Sequence, residues 1–292
     1  NSVIFFWSDH GGNLLRQKRA VGDSGLHVPL IIRYPDGYRA GETESRMVSL
    51  MDLGPTVLSL TGQKPPKYMD GKAFAGPFEE APRDYIYGSA DRFDESTDMQ
   101  RSVLDGRYVY IKNFMPELPL IYRNRYREQI PMNKHLIELD AEGKLEGDAA
   151  YIFMKTKPLE ELYDLKNDPY EVHNLANDPA HAEKLKLLRS QLSQWQASIK
   201  DRGFTPESEI IREFWPGMIQ PVTADVKIQQ QNNTIVLSCA TEGASIAYQL
   251  SDAIGTDYWQ LYSKPLLLQP QEKISTRAIR IGYKASNITV KN

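Results

Sequence analysis

Asp9 and His10 stand side by side, one residue after the apolar run V-I-F-F-W at 3–7 and directly before Gly11-Gly12. A carboxylate and an imidazole delivered together at the end of a strand suit a divalent metal. Three cations follow, Arg16, Lys18 and Arg19, and these suit an oxyanion. A second apolar run at 28–32 is stopped by Pro35, with His27 at its entrance. In open α/β sheets ligands bind at the carboxyl ends of strands. A buried strand, an acidic turn, a basic loop and a second strand therefore describe a site for a metal and an oxyanion. Plainer roles use the same residues. Asp9 can bond its own backbone in a turn, the three cations can form a solvated loop, and His27 can be a satisfied edge residue.

The surrounding chain is patterned as the end of a β/α domain. Residues 49–62 predict a helix, with Asp52 near its start, Pro55 in its first turn and Gly62 past its end. Residues 63–82, rich in Pro, Gly and Lys, read as a surface connection. Short strands are expected at 84–87, at 161–164 and on both sides of Asp105-Gly106, a dipeptide that predicts a type I′ hairpin within 100–112. After Asp178-Pro179, the residues Ala182, Leu185, Leu188, Leu192, Trp195 and Ile199 recur at spacings of three and four, one apolar helix face. Composition shifts after Phe204. Residues 205–221 read as a linker, and 224–229, 234–240, 245–250, 273–281 and 287–291 as short strands of a β-sandwich. Tyr258, Trp259 and Tyr262 either stack on sugar rings or pack between sheets.

With 41% hydrophobic and 25% charged residues among 292, this is ordinary globular material, long enough for two domains. A net charge of −3 suggests neither nucleic acid nor a membrane surface as a partner. No apolar run approaches the ~20 residues of a membrane-spanning helix. Cys239, the single cysteine, lies in L-S-C-A-T-E-G and reads as a small buried hydrophobe. The chain opens at Asn1 without an initiator Met or a signal peptide, and is expected to be the carboxyl-terminal piece of a longer protein.

The order S-D-H-G, Lys18, then D-S-G-L-H-V-P-L-I-I-R-Y-P resembles the second half of the catalytic domain of type I sulfatases, in the alkaline phosphatase superfamily. The resemblance continues in V-S-L-M-D-L-G-P-T-V-L at 48–58. It returns in E-L-Y-D-L at 161–165, with Asp168-Pro169-Tyr170-Glu171 and Asn174-Leu175. The stretch R-S-V-L-D-G-R-Y-V-Y-I-K-N-F-M-P at 101–116 looks like sulfamidase-type sulfatases, such as N-sulfoglucosamine sulfohydrolase. The strands after 222 are similar, more weakly, to immunoglobulin-like modules appended to bacterial glycan enzymes.

The resemblance implies an α/β fold class. Residues 1–75 would be part of an alkaline-phosphatase-like sandwich, and 76–204 a small antiparallel α+β subdomain with a closing helix. After a linker at 205–221, residues 222–292 would form an immunoglobulin-like β-sandwich module. It implies a metal-dependent sulfuric ester hydrolase acting on a sulfated sugar or glycosaminoglycan fragment, periplasmic or secreted. It implies Asp9 and His10 as metal ligands and Lys18 as the cation on the sulfate. His27 joins Lys18 as a catalytic candidate. Arg19, Arg92, Asp94, Glu95 and Arg101 become candidates for substrate binding. Calcium is the usual family metal, but the nitrogen donor His10, where many sulfatases have Asn, keeps zinc or manganese open. The formylglycine precursor C/S-x-P-x-R does not occur in this sequence. Formylglycine and the remaining metal ligands are therefore expected in a missing amino-terminal half, without which the chain is expected to be inactive. A phosphodiesterase or phosphonate hydrolase of the same superfamily, or a non-catalytic glycan-binding chain, are the alternatives.

Overall fold

The computed structural model describes residues 2–93, 95–121 and 123–291, without the side chain of residue 252. The chain divides into two compact units, Asn1–Gly203 and Phe204–Asn292.

The first unit opens with β1 (Ile4–Trp7), the one-turn helix α1 (Asp23–Leu26) and β2 (Leu30–Arg33). β1 and β2 pair antiparallel, Phe6 opposite Ile31. The apolar run of β1 reads as a buried strand, and here the structure differs. Phe6 is 63% and Ile31 61% exposed. Within the described residues each of these strands pairs only with the other, so their apolar side chains have no second layer.

Helix α2 (Leu53–Leu60) follows a turn of 3₁₀ helix at Leu50–Asp52. Residues 63–82 are more than a surface connection. They fold back on α2, whose buried hydroxyls need donors. The Phe74 N–H donates to Thr56 Oγ1 at 3.0 Å and the Phe78 N–H to Ser59 Oγ at 2.9 Å, burying Ala73, Phe74 and Ala75. Asp52 is buried and accepts from the Arg83 guanidinium and the Lys72 N–H.

A four-stranded antiparallel sheet comes next: β3 (Ile86–Phe93), β4 (Ser96–Leu104) and β5 (Tyr108–Asn113), then helices α3 (Pro131–Ala141) and α4 (Gly147–Tyr151), then β6 (Glu160–Asp164), in spatial order 3-4-5-6. The sequence pattern anticipates neither α3 nor α4. β3 is longer than the 84–87 segment and carries Asp91, Arg92 and Phe93 into the sheet. The β4–β5 turn places a positive φ on Gly106 (89°) and on neither Asp105 nor Arg107. Glycine therefore fills the first central position of the turn, and the doubly left-handed type I′ is not formed.

The sheet sorts its side chains by the two-residue period. Val103, Tyr110 and Leu162 pack on one face against Leu185, Leu188 and Leu192 of α5 (Ala182–Ser198). Trp195 stacks on Tyr87 with centroids 4.8 Å apart. Each fully buried leucine contributes roughly 2 kcal/mol. Ile199 lies past the helix end and is exposed, not part of the apolar face. Val109, Ile111 and Tyr163 point to the opposite face and enclose Val21.

Where Ala90 pairs with Gln100 but Arg92 with Thr97, a β-bulge sets Asp98 and Met99 against Asp91. Arg101, beside the bulge, is buried. Its Nε and Nη2 donate to Asp201, and Nη1 and Nη2 donate to Asp91, at 2.7–3.1 Å. Nη1 also donates to the Gln100 carbonyl. These bonds use all five guanidinium protons. Arg101 holds Asp201 down to a pKa of about 2, against 3.8 ordinarily. The folded chain keeps Asp201 ionised where the unfolded chain protonates it. Its contribution is therefore complete above about pH 3.8 and is lost as pH falls towards 2. Between pH 5 and pH 3 the unfolding free energy should drop by about 1 kcal/mol from this group. Asp201→Asn should remove that component, read from urea midpoints at the two pH values.

In the second unit, α6 (Glu207–Phe214) and residues up to 221 belong to the unit rather than forming a free linker. The Trp215 indole N–H donates to the Gly282 carbonyl at 2.9 Å. The strands are β7 (Val226–Gln231), β8 (Thr234–Cys239), β9 (Ser245–Leu250), β10 (Gln260–Leu261), β11 (Leu266–Leu267), β12 (Ile274–Ile279) and β13 (Thr289–Lys291). They form two antiparallel sheets, ordered 11-8-7 and 10-9-12-13, around Ile235, Leu237, Tyr248 and Ile274. Tyr262 packs against this core and accepts the Leu237 N–H, whereas Tyr258 is exposed. The Cys239 thiol is half-buried and donates to the Ala224 carbonyl.

Candidate active site

The loop between β1 and α1 is held by its own backbone. The Gly11 N–H donates to the Gly25 carbonyl, the Lys18 N–H to Gly12 and the Ala20 N–H to Gln17, at 2.9–3.1 Å. Ser24 Oγ donates to the Arg16 carbonyl at 2.7 Å. Val21 plugs this loop into the sheet face formed by Val109, Ile111 and Tyr163. The subdomain sheet thus supports the loop that carries the cations.

Asp9 and His10 follow β1 after Ser8. The Asp9 carboxylate is 86% exposed, and its Oδ1 lies 3.8 Å from His10 Nε2. His10 Nδ1 is 2.5 Å from the Gly11 carbonyl oxygen, which can only accept. That contact puts a proton on Nδ1 and turns Nε2 towards Asp9. A carbonyl that fixes the tautomer in this way is the usual support of a metal-binding imidazole. The donor pair therefore fits a divalent cation. Among the described residues no group of three or more His, Cys, Asp or Glu side chains could hold an ion.

Asp9, His10, Lys18, Arg19 and His27 line one open cleft of about 1730 Å³. Lys18 Nζ sits 5.7 Å from the centroid of the Tyr126 ring, and the Arg19 guanidinium 4.8 Å from that of Phe93. Each cation lies against an aromatic face, which helps to steer it. His27 is exposed, with Nδ1 3.3 Å from Asp23 Oδ2.

Of the other substrate-binding candidates, Arg92, Glu95 and Arg101 do not line this cleft. Arg101 is the buried clamp described above, 1% exposed, so its expected contact with substrate is corrected. No guanidinium proton is left for a ligand. Arg92 and Glu95 are exposed on the β3–β4 hairpin and are not among the cleft's lining residues; Glu95 accepts the Arg125 N–H. Asp94 and Tyr122 lie outside the described residues. Asp91 and Phe93 line the cleft instead. The stretch at 123–127 supplies Tyr126 beside Lys18 and buries Asn124 and Arg127.

A family model described as Sulfatase matches residues 1–63. An ulvan-active sulfatase of Formosa agariphila is 43% identical over 289 residues, 98% of this chain and 48% of that protein. The chain belongs to the sulfatase family. The human N-sulphoglucosamine sulphohydrolase is 25% identical over 237 residues, 76% of this chain and 47% of that enzyme. Among solved structures, a 2-O GAG sulfatase superposes with a TM-score of 0.49 at 22% identity, covering 68% of this chain and 37% of that one. This sulfatase chain spans about half the length of the curated relatives it matches. No described helix is long and apolar enough to cross a membrane.

Proposed function

We propose that the complete protein is a metal-dependent sulfuric ester hydrolase acting on a sulfated carbohydrate, and that this chain supplies one wall of its active site. One observation carries the reading: Asp9, His10, Lys18, Arg19 and His27 share a single cleft. A sulfate ester carries its charge on exposed oxygens, and a compact ammonium such as Lys18 neutralises it. Arg19 adds a second cation to the sugar side. His27, oriented by Asp23, donates a proton to the leaving oxygen. Asp9 and His10 would hold the metal, with a carboxylate oxygen and an imidazole nitrogen as donors. When bound, that ion neutralises charge developing during S–O cleavage. Calcium is the first assignment; the nitrogen donor leaves room for zinc or manganese. The formylglycine and the remaining ligands belong to an amino-terminal half, which also covers the exposed side chains of β1 and β2. The setting is periplasmic or secreted, and the second unit is an immunoglobulin-like accessory module. The nitrogen donor is also the feature that favours the second reading, a phosphodiesterase or phosphonate hydrolase.

In the complete protein, Asp9→Ala and His10→Ala should each weaken metal affinity roughly tenfold or more, measured by competition with a chromogenic chelator. Unchanged metal affinity in both variants would remove the ligand assignment.

A further inference from the structure

The motif Asp168-Pro169-Tyr170-Glu171 ends on a carboxylate that the chemistry above does not use. Glu171 adopts φ 54°, a left-handed conformation unfavourable for a side chain of its size. The turn is closed by the Asp168 carboxylate, which accepts the N–H groups of Val172 and His173 at 2.9 and 2.8 Å. It aims the Glu171 side chain, 2% exposed, into the loop that carries the cations. Glu171 Oε1 accepts the Asp23 N–H at 2.9 Å. Arg16 reaches back to the same turn. Its Nη1 and Nη2 donate to the carbonyls of Tyr170 and Glu171, both at 2.8 Å, and Nη2 lies 3.9 Å from Glu171 Oε2. Gly22 leaves room for the carboxylate, since a Cβ there would stand 2.6 and 2.7 Å from its two oxygens. Burial pushes the Glu171 carboxyl up, against the Asp23 N–H and the Arg16 charge, which favour the anion. A buried carboxylate is a costly way to fill this space, and an apolar side chain would do so more cheaply.

These contacts fall on Arg16 and Asp23, the two ends of the segment that contains Lys18 and Arg19. We infer that Glu171 is a positioning residue: from the subdomain it brackets residues 16–23 and sets the presentation of Lys18 to the cleft. The inference rests on the reading of Lys18 as the sulfate-binding cation. Rate penalties of this kind arise because displacement of a charge-stabilising group by about 1 Å costs on the order of 10²-fold.

The test is a double-mutant cycle in the complete protein, with initial rates on a sulfated disaccharide and melting temperatures for each variant. Glu171→Ala should lower kcat roughly tenfold to a hundredfold, with a smaller change in KM. Glu171→Gln, which keeps an acceptor for Asp23, should recover most of the rate. In a Lys18→Ala background, Glu171→Ala should cost less than about twofold, because Glu171 acts through Lys18. If Lys18→Ala lowers the rate but Glu171→Ala leaves it unchanged, or multiplies with it in full, Glu171 is not a positioning residue and the site reading survives. If Lys18→Ala itself leaves turnover intact, the site reading fails instead. Should Glu171→Ala not fold, Arg16→Lys, which loosens the same bracket, takes its place in the cycle with Lys18→Ala, and the same outcomes decide.

Discussion

Lys18→Ala in the complete protein should lower kcat/KM on a sulfated sugar by roughly 10²-fold or more, the scale of removing one preorganised charge-stabilising donor. The ammonium faces the cleft shared with Asp9 and His10, and its neighbour is a tyrosine ring rather than a carboxylate. Among the described residues no carboxylate forms an ion pair with it, and a sulfate oxygen meets its charge at nearly full strength. Lys18→Arg should restore activity only in part. A planar, weakly hydrated fork spreads the charge that an ammonium concentrates at one point, and its longer reach changes where that charge sits. Initial rates across substrate concentration separate the two parameters. The loss should fall mainly on kcat if the cation acts as charge develops, and on KM if it only captures the ground state.

The largest effect on stability should come from Lys157→Ala. Lys157 and Asp98 are both buried, with Nζ 2.7 Å from Oδ2 and 3.4 Å from the Pro119 carbonyl. Removing the lysine leaves a carboxylate enclosed without its partner, a change that costs about 3–5 kcal/mol. Replacing the pair together, Lys157→Met with Asp98→Leu, should restore most of that loss, because the desolvation cost of both ions disappears with them. Urea unfolding of the two variants and the wild type checks the ordering. Equal destabilisation by the single and the double variant would mean that packing rather than charge is lost.

The contrast between these two sites shows what could be read from the sequence. Asp9, His10, Lys18, Arg19 and His27 sit within one short segment, so adjacency and strand pattern were enough to group them. Helix α5 and the strands β5 and β6 were legible because apolar periodicity is a local signal. Arg101 was misassigned because its partners Asp91 and Asp201 lie 10 and 100 residues away. A buried arginine and a solvent-exposed one look the same in sequence. The Ala90–Arg92 bulge, which puts Asp98 against its neighbour strand, left no pattern either. α3, whose residues Met132 and His135 do not form a continuous apolar stripe, was hidden by weak periodicity. The exposure of β1 follows from sheet neighbours, which composition does not reveal.

Matched esters separate the proposed sulfuric ester hydrolase from a phosphoryl-transfer relative. The complete protein is given a sulfated sugar and the corresponding phosphate mono- and diesters, with and without prior chelation. Release of inorganic sulfate well above the release of phosphorus, abolished by the chelator and restored by one divalent metal, is the expected result. Hydrolysis of the phosphorus esters with no release of sulfate would contradict it.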